Sequence, residues 1–354
     1  KYKKLNFIDS LEEICKIIGL EFEDYKDKRS KNPELEMARK ILNKAIQIYQ
    51  KISTENPHFL AFAKERNIKN ETSKEFKLGF ALSSNILSNY LLSIKNENER
   101  NLALKVAINL KIIHHDKIRQ GNYFDSFRDR IMFPIYDAYK NPMGFTSRSI
   151  RESQKPKYLN SSESIAFTKK RLLYGVDLAK PYIRERDQII LCEGNMDAIT
   201  LHQKGFQNAV AIMGTAYNGA LTSTIKSMTK NVILALDSDN AGYEAARRIN
   251  QFFLKEGVIC RFISFHPFKD PDEFLTEKGA MDLQNIIESS PTFIDHELET
   301  IRMRHKPKNL EKKIEVIQMA IQLLEPLGAN VYKKEKIAEF SRSIGIKSSP
   351  EELL

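Results

Sequence analysis

The second half of this 354-residue chain repeats one pattern three times: a short apolar run that ends on acidic residues. Ile189-Ile-Leu-Cys192 leads into Glu193, followed by Gly194, Asn195, Met196 and Asp197. Val232-Ile-Leu-Ala-Leu236 leads into Asp237-Ser238-Asp239, and the run from Val258 to Phe265 passes through His266-Pro267-Phe268-Lys269 into Asp270-Pro271-Asp272. Carboxylates gathered at one edge repel and raise each other's pKa unless cations neutralise them. Hard oxygen donors suit Mg2+ or Mn2+ rather than zinc, so a site for divalent cations is the expected chemistry. Each acid also has a plain structural use. Asp197 could favour the positive end of a helix, Asp239 could cap a helix starting near Ala241, and Asp270-Pro271 is an ordinary turn dipeptide. The metal reading rests on their conjunction. Glu193 and Asp197, four residues apart, would repel by roughly 0.2–0.5 kcal/mol if helical and unpaired, and two D-x-D pairs at successive exits add to the coincidence. Gly194 would allow a sharp turn and close backbone approach, and Gly214-Thr215 could do the same at a fourth exit.

The elements needed to position these acids are written in the same stretch. Apolar runs IILCE, AVAIM, VILALD and VICRFISF alternate with helical stretches at Asn195–Lys204, after Gly219 and at Ala241–Glu256. Strands alternating with helices of this length imply βαβ units and a parallel sheet, whose ligands bind outside the carboxyl ends of the strands. Upstream, Leu35, Ala38, Ile41, Leu42, Ala45, Ile46 and Tyr49 recur at helical spacing, with a break at Asn56-Pro57. Helical stretches at Ser83–Leu92 and Glu99–Leu110 follow, then β-like runs IMFPIYD and MGFTSRSI around the turn-forming AYKNP. From Pro291 onward no strand signal appears, and Leu310–Leu324 is helical. The expected fold class is α/β in three parts: a mixed α/β N-terminal subdomain (1–184), a central parallel-sheet α/β subdomain (185–285) and a C-terminal helical subdomain (286–354).

Composition narrows the function classes. The apolar fraction of 42% supports real cores, and no apolar run approaches the roughly 20 residues needed to cross a bilayer, so a soluble intracellular protein with no membrane partner is expected. The chain starts on Lys1 rather than Met, the expectation for a fragment. Cys15, Cys192 and Cys260 form no C-x-x-C pair, which argues against a zinc ribbon or a disulfide framework and fits a reducing compartment. The net charge of +10 is unevenly spread: residues 1–180 hold 34 Lys and Arg against 22 Asp and Glu, whereas residues 181–285 hold 11 against 13. A basic front beside an acidic middle fits one part gripping a phosphate backbone and another holding metal ions.

Several basic and polar residues of the front are candidates for those contacts. Arg128 and Arg130 alternate along a β-like run, so both are expected on one face, meeting phosphates or pairing with Asp125 and Asp129. Lys157, Tyr158 and Asn160 combine a cation, an aromatic platform and an amide, suited to a nucleotide's phosphates and its base or sugar, or simply to a basic turn. Lys169, Lys170 and Arg171 read as a solvated cluster. His114-His115 lacks a completing ligand and reads as a surface pair.

Glu193-Gly-Asn-Met-Asp197, Ala211-Ile-Met-Gly214-Thr215, Asp237-Ser-Asp239 and Asp270-Pro-Asp272, in this order, resemble the toprim module of bacterial primases, type IA and II topoisomerases and some nucleases. That family usually carries an aromatic residue where this chain has Asn195. Phe127-Arg-Asp-Arg-Ile-Met-Phe-Pro-Ile135, Gly144-Phe145, Pro156-Lys-Tyr-Leu-Asn-Ser161 and Lys169–Gly175 resemble the polymerase core of bacterial DNA primase, from about Gly79 to Gly279. The resemblance implies an RNA polymerase that makes short primers on single-stranded DNA from ribonucleoside triphosphates for replication. It implies Glu193, Asp237 and Asp239 as catalytic metal ligands for Mg2+ or Mn2+, with no zinc in this stretch. Asp270, Asp272 and Asp197 would support them, and Arg128, Arg130, Lys157, Tyr158, Asn160 and Lys169 would bind nucleotide or template. It implies a cytoplasmic, replisomal setting, and a zinc-binding domain and a helicase-contacting domain outside this core. The rival readings are another toprim enzyme, a topoisomerase or nuclease, or a non-catalytic nucleic-acid-binding module.

Overall fold

The computed structural model describes residues 14, 32–116, 122–168, 170, 172–213, 217–328 and 331–346. Two Asn-Pro starts shape its first helices. Asn32 caps α1 (Pro33–Ser53) by accepting from the N–H groups of Glu34 and Leu35, and Asn56 caps α2 (Pro57–Glu65) through those of His58 and Phe59. Proline at the first helical position leaves no donor wasted. The break expected at Asn56-Pro57 is therefore a second helix start. The front continues through α3 (Asn70–Glu75), β1 (Gly79–Ala81), α4 (Ile86–Leu92), α5 (Glu97–Asn109) and the paired strands β2 (Ile113–His115) and β3 (Tyr123–Asp125). Strands β4 (Arg130–Tyr136), β5 (Pro142–Ser149) and β6 (Tyr158–Asn160) complete an antiparallel sheet of order β1-β4-β5-β6. Every residue of β4 is buried, so the strand is covered on both faces.

After α6 (Val176–Arg186) the chain enters the expected alternation: β7 (Ile189–Cys192), α7 (Asn195–Gln203), β8 (Ala209–Ala211), α8 (Gly219–Lys226), β9 (Val232–Leu234), α9 (Asn240–Lys255) and β10 (Arg261–Phe262). These four strands form a parallel sheet of order β10-β9-β7-β8. The chain steps outward from β7 to β8 and then returns to β9 on the other side of β7. That reversal opens a crevice at the carboxyl ends of β7 and β9, where a ligand of an open α/β sheet is received. The paired strands are shorter than the apolar runs; Ile263 still donates to the carbonyl of Leu234 at 3.0 Å before the chain leaves the sheet. Helices α10 (Pro271–Glu277) and α11 (Ala280–Ser289) close this part, and α12 (Phe293–His305), α13 (Leu310–Leu323) and α14 (Val331–Ser343) form the helical tail.

The two sheets share one core. Phe59, Phe62, Phe133 and Ile135 from the front pack in the same buried cluster as Ile190, Cys192, Ala198, Ile233 and Phe265. Tyr174 and Ala211 exchange backbone hydrogen bonds of 2.8 and 3.0 Å across the junction, and Gln203 bonds both the carbonyl of Asn67 and the N–H of Lys69. The divisions at 184/185 and 285/286 fall inside α6 and α11. The tail has its own core of Ile294, Leu298, Val316, Ile317 and Phe340, joined by Leu254 of α9. Glu297, 3% exposed, is held there by Arg247 at 2.9 Å, the pairing a buried carboxylate requires. Among the described residues no helix is long and apolar enough to cross a membrane.

Candidate active site

Two walls enclose a cleft of about 400 Å³. The parallel-sheet wall carries Glu193, Gly194, Asn195, Met196, Asp197, Met213, Asp237, Lys269, Asp270 and Asp272; the opposite wall carries Thr146 of β5, Tyr158 and Asn160 of β6 and Lys157 just before it, with Arg66 from the end of α2. Eight of the candidate ligand and binding residues thus line one space: five carboxylates faced by Lys157, Tyr158 and Asn160.

Local folding explains each acid's position. Glu193 follows the buried end of β7, beside the topological reversal, and burial and the neighbouring Asp239 raise its carboxyl, with the Lys269 ammonium opposing. Asp197, in the first turn of α7, reaches back to accept the N–H of Gly194 at 2.9 Å. It is 8% exposed, and burial pushes its carboxyl up to about 7, with Asp270, Asp237 and Asp272 adding repulsion against the Gly194 hydrogen bond. Gly194 itself is extended (φ −105), not turned sharply; its missing Cβ leaves room for that carboxylate. Asp237 leaves β9 and is pushed up to about 6, first by burial and then by Glu193 and Asp270, with Lys269 opposing.

Asp239 is exposed and caps α9 through the N–H of Gly242 at 2.8 Å; it is not among the residues lining the cleft. Gly242 is needed for that start. A Cβ there would collide with the carbonyl oxygen of Asp237 and come within 2.9 Å of its carbonyl carbon. Asp270 caps α10 through the N–H of Glu273 at 2.8 Å and has the Lys269 ammonium 3.8 Å away. Asp272 accepts the Thr200 hydroxyl at 2.8 Å and faces Arg66 at 3.9 Å. The N–H of Ser238 donates to the carbonyl of Lys269 at 2.7 Å, tying the β9 exit to the segment beyond β10.

Among the described residues no three acidic, histidine or cysteine side chains are arranged to hold a metal ion as they stand. The donor chemistry nevertheless fits a hard divalent cation: the gathered groups are carboxylates, and burial and mutual repulsion raise those of Glu193, Asp197 and Asp237 above the usual range.

The basic candidates separate. Arg128 and Arg130 do not share a strand face, because Asp129 between them is left-handed (φ 49) and β4 begins only at Arg130. Arg130 is 3% exposed, and its guanidinium donates to the carbonyls of Pro156 at 2.9 Å and Lys157 at 3.4 Å. It therefore braces the turn that presents Lys157 instead of offering itself to a phosphate. Arg128 is half-buried, bonded to Asn85 and lying over the Phe124 ring at 5.4 Å, away from the cleft. Lys169, Arg171 and Gly214-Thr215 lie outside the described residues. His114 and His115 are exposed on β2, the latter edge-on to Tyr123. Sequence reasoning missed Arg66, Lys269 and Thr146. Arg66 sits in an ordinary charged helix end, and nothing local marks it. Gly242 did carry a signal, its fixed place three residues after Asp239.

The two sheets fall in known families. Residues 190–275 match the family described as Toprim-like, so the parallel sheet and its acidic exits define a toprim module. Residues 47–180 match the DNA primase catalytic core, N-terminal domain. A DNA primase of Campylobacter jejuni is 31% identical over 335 residues, covering 94% of this chain and 53% of the relative. The primase of Aquifex aeolicus, solved with its zinc-binding and RNA polymerase domains, superposes with a TM-score of 0.77 at 29% identity, covering 99% of this chain and 81% of that one. A DnaG primase catalytic domain solved bound to ssDNA shares the fold (TM-score 0.75, 24% identity, 90% of this chain and 99% of that one). The chain belongs to the bacterial DNA primase family, as its catalytic-core portion. It spans about half the length of the curated relatives it matches.

Proposed function

We propose that this protein is a DNA-directed RNA polymerase that makes short RNA primers on single-stranded DNA for replication in the cytoplasm. The observation that carries the reading is the meeting of Glu193, Asp197, Asp237, Asp270 and Asp272 with Lys157, Tyr158 and Asn160 in one cleft. In the reaction the 3′-hydroxyl of one ribonucleotide attacks the α-phosphate of the next, and pyrophosphate leaves. Glu193 and Asp237, with Asp239 and Asp270 beside them, would hold Mg2+ or Mn2+, which supplies a lowered hydroxyl pKa and stabilisation of charge at phosphorus.

The chain's own residues do the rest. Lys157 and Lys269 are exposed cations at the cleft, placed to attract triphosphate, and Tyr158, 43% exposed, offers a face for a base to stack on. Arg130 fixes the Lys157 turn, and Thr200 and Arg66 orient Asp272. The basic front would hold the template through phosphate contacts that read little sequence. The single-stranded DNA bound by the structurally similar catalytic domain supports that choice of template. The test is incorporation of labelled ribonucleotides on single-stranded DNA with Mg2+ or Mn2+. Asp237→Asn with Asp239→Asn should abolish it while DNA binding survives. Full synthesis by that double variant refutes the mechanism.

A further inference from the structure

Besides Arg66 Nε, which has the Glu65 carboxylate 4.0 Å away, three buried polar atoms without a hydrogen-bond partner line the same cleft: Thr146 Oγ1, Asn160 Oδ1 and Asn195 Nδ2. Thr146 is 0% exposed and Asn195 4%. Buried polar groups are almost always paired, so each such atom calls for an explanation, and three around one space call for a common one. They come from both walls. Thr146 and Asn160 are register partners on β5 and β6, hence neighbours on one sheet face, and Asn195 opens α7 on the carboxylate wall.

We propose that Thr146, Asn160 and Asn195 form a neutral hydrogen-bonding subsite that reads a ribose hydroxyl of the bound nucleotide. The inference rests on the nucleotide-polymerising reading above and adds to it the residues that recognise the sugar. The pattern of donors selects the ligand. Asn195 Nδ2 can only donate, Asn160 Oδ1 can only accept, and the Thr146 hydroxyl does either. A phosphate has acceptors alone, so it would leave Asn160 Oδ1 unpaired; Lys157 and Lys269 serve it better. A hydroxyl accepts from Asn195 and donates to Asn160 at once, with Thr146 available for the remaining lone pair or for a second hydroxyl. A base edge with adjacent donor and acceptor has related chemistry, and the experiment separates the two.

The full chain is titrated calorimetrically, with Mg2+ present, with ATP, 2′-dATP and 3′-dATP, and with the same three uridine nucleotides. Removing the recognised hydroxyl should weaken binding about fivefold to tenfold, the worth of one neutral hydrogen bond, and equally for both bases. Thr146→Val and Asn195→Leu, similar in shape, should each bring the ribose-to-deoxyribose affinity ratio towards one. The wild-type series stands even where a variant fails to fold. Equal affinity of the wild-type protein for all three sugars overturns this inference and leaves the polymerase reading standing. So does a preference that follows the base, or a ratio unchanged in the folded variants. Absence of any nucleotide binding overturns both.

Discussion

Replacing Asp197 by Asn should make the metal-free protein more stable while harming its activity. Asp197 is 8% exposed, and its carboxyl is raised from 3.8 to about 7, chiefly by burial. At 1.36 kcal/mol per pKa unit, keeping it ionised above pH 7 costs the fold about 4 kcal/mol. The sign follows from proton binding. Between about pH 3.8 and 7 the folded protein keeps a proton the unfolded chain has released, so stability falls as pH rises through this window and levels off above it. Asparagine keeps the shape and can still accept the Gly194 N–H, but carries no charge. In chelator at pH 8, urea denaturation should show Asp197→Asn more stable by about 2–4 kcal/mol, shrinking to under about 1 kcal/mol at pH 4. Adding Mg2+ should stabilise the wild-type protein more than the variant, because the cation relieves the same repulsion. A variant less stable than wild type at pH 8 in chelator, or a difference independent of pH, refutes the electrostatic reasoning.

Other perturbations have equally definite outcomes. Gly242→Ala should destabilise by about 1–3 kcal/mol and suppress primer synthesis, because its Cβ meets the Asp237 backbone. Gly219→Ala, with nothing within 4 Å, should be neutral or slightly stabilising when both variants are compared with wild type by thermal melts. Lys157→Ala should weaken nucleoside triphosphate binding and make it less sensitive to salt, measured by calorimetry across a salt series. Arg130→Lys should lower the melting temperature and weaken nucleotide binding together, since an ammonium cannot span the carbonyls of Pro156 and Lys157 as the guanidinium does.

The parallel sheet was legible because its strands are continuous apolar runs and its helices are long enough to be periodic, so α7 and α9 fall within about a residue of their expected limits. Helices α1, α4, α5 and α13 were legible for the same reason, whereas α3, α12 and α14 had no periodic run that set their limits. Strands β1, β6 and the β2–β3 pair were not; three residues each, they exist only because a partner strand reaches them. The acids at the cleft were found through their place after apolar runs. Their individual settings were hidden: Asp239 and Asp270 both cap helices, and Asp272 is held by Thr200 from 72 residues away. The alternation of Arg128 and Arg130 misled because it presumes an extended Asp129, whereas this residue turns left-handed and holds Arg151 at 2.8 Å. Arg66 and Thr146 reach the cleft only through the packing of one sheet against another, which spacing along the chain does not encode.

The apolar cluster running from Phe59 through Phe133 to Phe265 has a mechanical consequence. Both jaws of the cleft are rooted in the same close-packed interior, so they form a vise without a hinge. Widening the gap would mean prising apart side chains that are almost wholly buried, and such interiors yield little. The jaw spacing is thus set when the chain folds. On the proposed function, template and substrate would enter along the open rim and fit a preset width, and a lesion in the core far from the acids would be felt as a change of gauge between them.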